Sequence, residues 1–109
     1  MIKQGIIVLI PFPFTDLSGD KLRPALVVSN YLKGDDIIVV FISSKKPRKI
    51  DHLDVVLEPD KVNSLKTPSI IKCSKIATLD QKIILGELGF LSAEKLKEVK
   101  NKLKIIFNL

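Results

Sequence analysis

Short runs of hydrophobic residues, many of them β-branched, alternate with turn-forming residues along most of the chain. Such runs are typical of β-strands. The most continuous lie at residues 6–10, 24–29 and 37–42, and the first and third are apolar at successive positions, which predicts burial on both faces. Further strands are predicted at residues 53–57, 69–76 and 83–90. In the run 69–76, side-chain alternation places Ile71 and Cys73 on one face and Ile70 and Ile76 on the other.

The last part of the chain has a helical period instead. One stripe of a helix is formed by Leu96, Val99, Leu103 and Ile106. Ser92 stands at the N-cap position, and Glu94 adds a negative charge to the first turn. The pattern therefore predicts a mainly β (α+β) fold, in which short strands form a small barrel or curled sheet and a C-terminal helix packs on it. At 109 residues, the chain is expected to form one domain, residues 1–109.

Composition excludes several classes of protein. The hydrophobic and charged fractions, 46% and 28%, are those of a folded globular chain. One cysteine and one histidine exclude a disulfide framework and a Cys/His zinc site, and we expect no cofactor or metal. No apolar run is long enough to cross a membrane, and we expect no signal peptide, because Pro11 and Pro13 cut short the apolar stretch at residues 6–10. We therefore expect a cytoplasmic protein.

The net charge of +6 makes the chain attractive to polyanions. Four cations fall within residues 45–49 without an acidic neighbour. Such a cluster is typical of a solvated loop and also of a surface that tracks phosphates, and charge alone favours neither.

Two features could carry chemistry, although the chain has no glycine-rich phosphate loop, nucleophile elbow or metal-binding helix motif. Arg23 is followed by Pro24, which fixes the backbone where a strand begins. Ser43 ends the strand 37–42 beside the basic cluster. An arginine and a hydroxyl that converge on a phosphate could cleave RNA, because RNA supplies its own 2′-OH nucleophile. A surface arginine and a capping serine is the alternative, and we interpret His52 as a loop residue and Cys73 as a core thiol.

Four stretches, residues 5–16, 23–29, 69–79 and 86–92, together resemble the PemK/MazF family of toxin endoribonucleases. The resemblance covers nearly the whole chain and is weakest at residues 44–66. It implies an SH3-like β-barrel with a C-terminal helix, the PemK/CcdB-like toxin fold, usually as a homodimer. It also implies metal-independent, sequence-specific cleavage of single-stranded mRNA that leaves 2′,3′-cyclic phosphate and 5′-OH ends. The implied partner is a cognate antitoxin protein, and the toxin–antitoxin complex is expected to bind DNA.

The resemblance also implies roles for individual residues. Arg23 matches the catalytic arginine of the family, and Ser43 stands where relatives commonly have a catalytic threonine. Lys75 and Ala77 replace a glutamine and an arginine of many relatives, so the groups that read bases differ. Phe14 is expected to stack on a base or, alternatively, to belong to the core. The residues expected to contact RNA are Phe14, Thr15, Asp16, Ser18, Lys21, Ser44, Lys45, Lys46, Arg48, Lys49 and Lys75.

Two other functions are compatible with the sequence. The chain could be a non-catalytic binding module of the same fold, which binds RNA without cutting it or poisons a topoisomerase. A DNA-binding transcription factor is a poorer alternative, because no helix-turn-helix pair is visible. Apolar positions on the strand 69–76 and on the terminal helix offer a surface for pairing of two copies.

Overall fold

The computed structural model describes residues 2–11, 22–30, 34–43 and 50–109. A strand occurs at each of the six predicted places, and a short 3₁₀ turn precedes the last one. The strands are β1 Ile6–Pro11, β2 Leu22–Val27, β3 Asp36–Ser43, β4 Asp54–Leu57, β5 Ser69–Asp80 and β6 Gly86–Phe90, followed by the helix α1 Ala93–Phe107. The main difference from the predicted bounds is β5, which continues to Asp80 rather than ending at residue 76.

The strands form one antiparallel sheet in the order β4-β5-β3-β2-β1-β6. The sheet curls into a half-barrel, and α1 packs against β4 and β5. A hydrogen bond from the N–H of Phe90 to the carbonyl of Val62, 3.0 Å long, ties β6 to the segment that follows β4. The prediction of a mainly β fold with a curled sheet and a terminal helix is confirmed.

Buried side chains form two clusters, one on each face of the sheet. The helix-side core consists of Ile7, Leu26, Val40, Ile42, Val55, Leu57, Ile71, Cys73, Leu91 and Val99. The far-side core consists of Val8, Ile10, Ala25, Val27, Ile37, Val39 and Leu79. Since β1 and β3 contribute to both clusters, their predicted burial on two faces is confirmed.

The predicted position of Ile76 is wrong. Val40 of β3 is paired with Ile76, but the next residue, Phe41, is paired with Lys72. Three residues of β5 therefore bulge between these pairs, and the alternation of side chains shifts there. As a result Ile76 packs on the helix-side core together with Ile71 and Cys73.

The terminal helix matches its prediction closely. It begins after Ser92, whose hydroxyl accepts a hydrogen bond from the N–H of Lys95 at 3.3 Å. Val99 is fully buried, and the other three residues of the predicted stripe pack around it. No helix in the described part of the chain combines the length and apolarity that crossing a membrane requires.

Candidate functional site

Pro24 ends the pairing of the two central strands. The N–H of Val28, the residue after β2, donates a hydrogen bond to the carbonyl of Ile38 in β3, 2.9 Å away. N–H groups along an antiparallel strand point alternately to its two neighbours, so residue 24 would also direct its N–H toward β3. Proline has no N–H. The β2–β3 pair nearest to Pro24 is Ala25 with Phe41, so the pairing stops just before it would reach the proline. Among the described residues, β2 beyond this point pairs with β1 alone, and β3 pairs with β5 alone.

Arg23 and Ser43 flank this opening between the strands. Arg23 is paired with Ile10 of the far-side core, and Ser43 lies two residues beyond Phe41, which packs against the same core. Because side chains alternate along a strand, both residues project from the far side of the sheet. Continuing the β2–β3 register by two residues sets them opposite each other. Both are half-buried.

An ion pair lies beside Ser43 on the same face. Lys72 of β5 is paired with Phe41, whereas Ser43 is paired with Ile70, so Lys72 is a diagonal neighbour of Ser43. The Nζ of Lys72 lies 3.0 Å from Oδ2 of Asp54, a carboxylate that is only 2% exposed. Sequence reasoning did not single out this pair. A lysine within an apolar strand was the available signal, because a half-buried cation requires a partner.

The turn before β4 forms one wall of an open cavity next to this ion pair. The cavity has a volume of about 490 Å³ and is lined by Ile50, Asp51, His52 and Lys72. Nδ1 of His52 lies 3.1 Å from Oδ1 of Asp51, and the imidazole is 80% exposed. His52 thus lies in an exposed turn, as we interpreted it from the sequence, but it also borders a cavity that the sequence did not predict.

Most residues predicted to contact RNA lie outside the described ranges. Lys75 is described and is exposed within the β5 bulge, separate from the cavity. The others, which stay predictions, are Phe14, Thr15, Asp16, Ser18, Lys21, Ser44, Lys45, Lys46, Arg48 and Lys49.

Cys73 is a buried free thiol in the helix-side core, which confirms its interpretation as a core residue. Burial raises the pKa of the thiol to about 11, and the nearby negative charge of Asp54 acts in the same direction. The thiol is therefore protonated at neutral pH and is a poor nucleophile. Within the ranges the structure describes, no three His, Cys, Asp or Glu side chains are grouped so that they could hold a metal ion.

Comparison with known proteins identifies the family. The sequence model for PemK-like, MazF-like toxins of type II toxin–antitoxin systems matches residues 3–107. No curated protein matches the chain significantly in sequence. Among solved structures, a mycobacterial endoribonuclease in complex with its cognate antitoxin is similar, with a TM-score of 0.80 at 17% identity over 100% of this chain and 97% of that one.

Two further solved structures have the same fold. The Mycobacterium tuberculosis toxin MazF-mt6 has a TM-score of 0.74 at 20% identity and covers 95% of this chain and 97% of its own. MazF in a MazE–MazF structure from Deinococcus radiodurans has a TM-score of 0.78 at 20% identity, with 99% and 97% covered. The curled sheet and helix are thus the MazF/PemK fold. The chain belongs to the PemK/MazF-like family of toxins of type II toxin–antitoxin systems.

Proposed function

We propose that the protein is a metal-independent endoribonuclease that cleaves single-stranded mRNA at specific sequences. The observation that carries this proposal is the placement of Arg23 and Ser43 on one face of the sheet, at the opening that Pro24 creates. Membership of the toxin family and the likeness to solved structures of endoribonucleases support it.

The proposed reaction uses the nucleophile that RNA itself provides. The 2′-OH attacks the adjacent phosphorus, so that an O2′–P bond forms and the P–O5′ bond breaks. The 2′-OH loses its proton, and the departing O5′ gains one, which leaves a 2′,3′-cyclic phosphate and a 5′-OH. The protein must hold these atoms in line and stabilise the negative charge that grows on the phosphoryl oxygens.

Arg23 and Ser43 have suitable groups for these two tasks. The guanidinium of Arg23 stays charged at every working pH, and its planar fork matches the geometry of a phosphate. We assign to it the neutralisation of the negative charge on the phosphate. We also assign to it the donation of an N–H hydrogen bond to the leaving O5′. The hydroxyl of Ser43 donates to the phosphate or orients the 2′-OH. Ser43 stands where the family resemblance implies a catalytic threonine, and serine restricts χ1 less than threonine does.

The proposal includes partners and location. A cognate antitoxin is expected to bind the toxin, since similar solved toxins are in complexes with theirs. A homodimer is expected as well, and exposed apolar side chains at the end of α1, Ile105, Phe107 and Leu109, are available for contacts between chains. An mRNA substrate would place the protein in the cytoplasm, where the antitoxin complex would also bind DNA.

Arg23→Ala tests the proposed reaction. Purified wild-type protein is incubated with labelled single-stranded RNA in the presence of EDTA, and the fragment ends are analysed for 2′,3′-cyclic phosphate. We expect sequence-specific fragments from the wild type and a loss of roughly 10²-fold or more in rate for Arg23→Ala, because one donor that stabilises the transition state is removed. Arg23→Lys, which keeps the charge but not the fork, is the matched control and should retain a small part of the activity.

Each outcome separates the candidate functions. Full cleavage by a folded Arg23→Ala variant would contradict the assignment of Arg23. Binding of RNA without any cleavage by the wild type would instead favour the non-catalytic binding module.

A further inference from the structure

The cavity beside Lys72 is open to solvent and is large enough to admit an unpaired base. Its volume of about 490 Å³ lies within the range of small-molecule sites. Two exposed side chains border it, the aromatic imidazole of His52 and the apolar side chain of Ile50, which is 52% exposed. Single-stranded RNA is bound by stacking of bases on such side chains, and aromatic rings contribute most.

The wall of this cavity is held in place before any ligand binds. Oδ2 of Asp54 accepts hydrogen bonds from the N–H of Asp51 and from Nζ of Lys72, each 3.0 Å long. Oδ1 of Asp51 accepts from the N–H of Leu53 at 2.9 Å and lies near His52. The turn is thus fixed to β5, and its rigidity reduces the entropy lost when a ligand is bound.

The chemistry at the base of the cavity favours one class of base. The ammonium of Lys72 has three N–H donors, of which Asp54 takes one, and its side chain is 28% exposed. Uracil and guanine present a keto oxygen at the edge where cytosine and adenine present an amino group. An ammonium donates a hydrogen bond to a keto oxygen. It forms none with an exocyclic amino group, because both groups are donors.

The cavity lies beside the proposed cleavage site. Lys72 and Ser43 are diagonal neighbours on adjacent strands, about 7–8 Å apart in such a pair, and both face the far side of the sheet. Arg23 lies on the opposite flank of Ser43. A nucleotide whose phosphate contacts Arg23 and Ser43 therefore has a neighbour within reach of the cavity.

We propose that Ile50, His52 and Lys72 form a specificity site that binds a keto base, uracil or guanine, next to the scissile phosphate. This inference deepens the proposed ribonuclease function and rests on it for the identity of the ligand as RNA. His52 and Ile50 stack on the base, and Lys72 donates to its keto oxygen.

Binding of uncleavable RNA tests the site apart from catalysis. Oligouridylate and oligocytidylate of equal length, both fully 2′-O-methylated, differ only in the base, which carries a keto oxygen at C4 and an N–H at N3 in uracil, and an amino group at C4 and an acceptor N3 in cytosine. We expect the wild type to bind oligouridylate more tightly by several-fold. His52→Ala should weaken the binding of both by roughly 5- to 150-fold, because it removes one stacking partner. Lys72→Met, which keeps the length of the side chain, should abolish the preference for uridine.

Two controls distinguish the site from general effects. Lys97→Met removes an exposed cation of α1 and should leave the preference intact, whereas Asn101→Ala is an exposed polar substitution matched to His52→Ala. Thermal unfolding shows whether Lys72→Met is folded. Its binding is then measured at a temperature well below its Tm. If Lys72→Met does not fold, Lys72→Arg is measured instead. It keeps the positive charge and should keep the preference for uridine.

The outcomes are decisive for each claim. Equal binding of the two oligonucleotides by the wild type, a preference that persists in folded Lys72→Met, or unchanged affinity in His52→Ala would overturn the inference. A wild type that prefers oligouridylate in this way but cleaves no RNA would sustain the base site and overturn the proposed nuclease function. If the protein cleaves RNA but these substitutions do not change its binding, the proposed nuclease function is sustained and the base site is overturned.

Discussion

Gly89 of β6 lies against the segment that follows β4, and the contact leaves no room for a side chain. A methyl group at this position would overlap the carbonyl oxygen of Val62 and would lie 2.7 Å from the carbonyl oxygen of Asn63. Both are backbone atoms, which cannot rotate out of the way. We therefore expect Gly89→Ala to destabilise the protein by separating β6 from this segment.

The segment has little freedom to move, because the side chain of Asn63 holds it internally. Asn63 is 1% exposed. Its Oδ1 accepts hydrogen bonds from the N–H groups of Asp60 and Leu65, at 3.1 and 2.9 Å, and its Nδ2 donates to the carbonyl of Glu58 at 2.9 Å. Relief of the overlap must then come from displacement of β6, and this breaks the hydrogen bond from Phe90 to Val62.

The expected destabilisation is about 2 kcal/mol. Overpacking of this kind costs about 1–3 kcal/mol, and loss of one hydrogen bond costs about 1 kcal/mol. Alanine recovers roughly 0.5–1 kcal/mol, because it loses less backbone entropy on folding than glycine does. A change of about 2 kcal/mol corresponds to a fall in Tm of about 8–16 °C for a chain of this size.

Gly86→Ala is the matched control, since it lies in the same strand and a methyl group there would meet nothing within 4 Å. Thermal unfolding by circular dichroism should show a lower Tm for Gly89→Ala and a Tm for Gly86→Ala that is unchanged or raised by a few degrees, about 2–4 °C. If the two variants unfold at the same temperature, the segment yields without cost and the reasoning is wrong.

Two further predictions concern the helix and the buried thiol. Ser92→Ala should lower the free energy of unfolding by about 1 kcal/mol in urea titrations, because the N-cap acceptor for Lys95 is lost. Ser92→Asp should retain most of the stability, and equal loss in both would contradict a capping role. The pKa of Cys73 is raised from 9.0 to about 11 in the folded state, so the fold favours the protonated thiol. Its contribution to stability is present in full below about pH 9 and is lost as the pH rises through about 11. Urea titrations at several pH values should show a smaller alkaline loss in Cys73→Ala than in the wild type, and identical pH profiles would contradict this cause.

The sequence predicted the elements of the fold well, because each one has a local signal. Runs of β-branched residues marked the strands, and the period of Leu96, Val99, Leu103 and Ile106 together with Ser92 marked the helix. The error at Ile76 arose from the β5 bulge, which depends on how two strands are paired. A single sequence does not show pairing, so alternation was carried through a point where it shifts.

The candidate site was predicted only where a residue stands next to a local constraint. Arg23 was singled out through Pro24, and Ser43 through its place at the end of an apolar strand, and their roles stay predictions. Lys72 and Asp54 are 18 positions apart and meet only because β4 pairs with β5. The cavity that they help to form depends on this non-local contact, and for that reason no motif indicated it.

The missing N–H of Pro24 links the stability of the sheet to the activity proposed for Arg23 and Ser43. Replacement of this proline by an ordinary residue would supply a backbone donor on the side of β3, and one more rung of the ladder could then form. Such a change would narrow the opening at Arg23 and Ser43 while it strengthens the sheet. In the proposed function, one substitution of this kind would therefore give a well-folded protein with less activity.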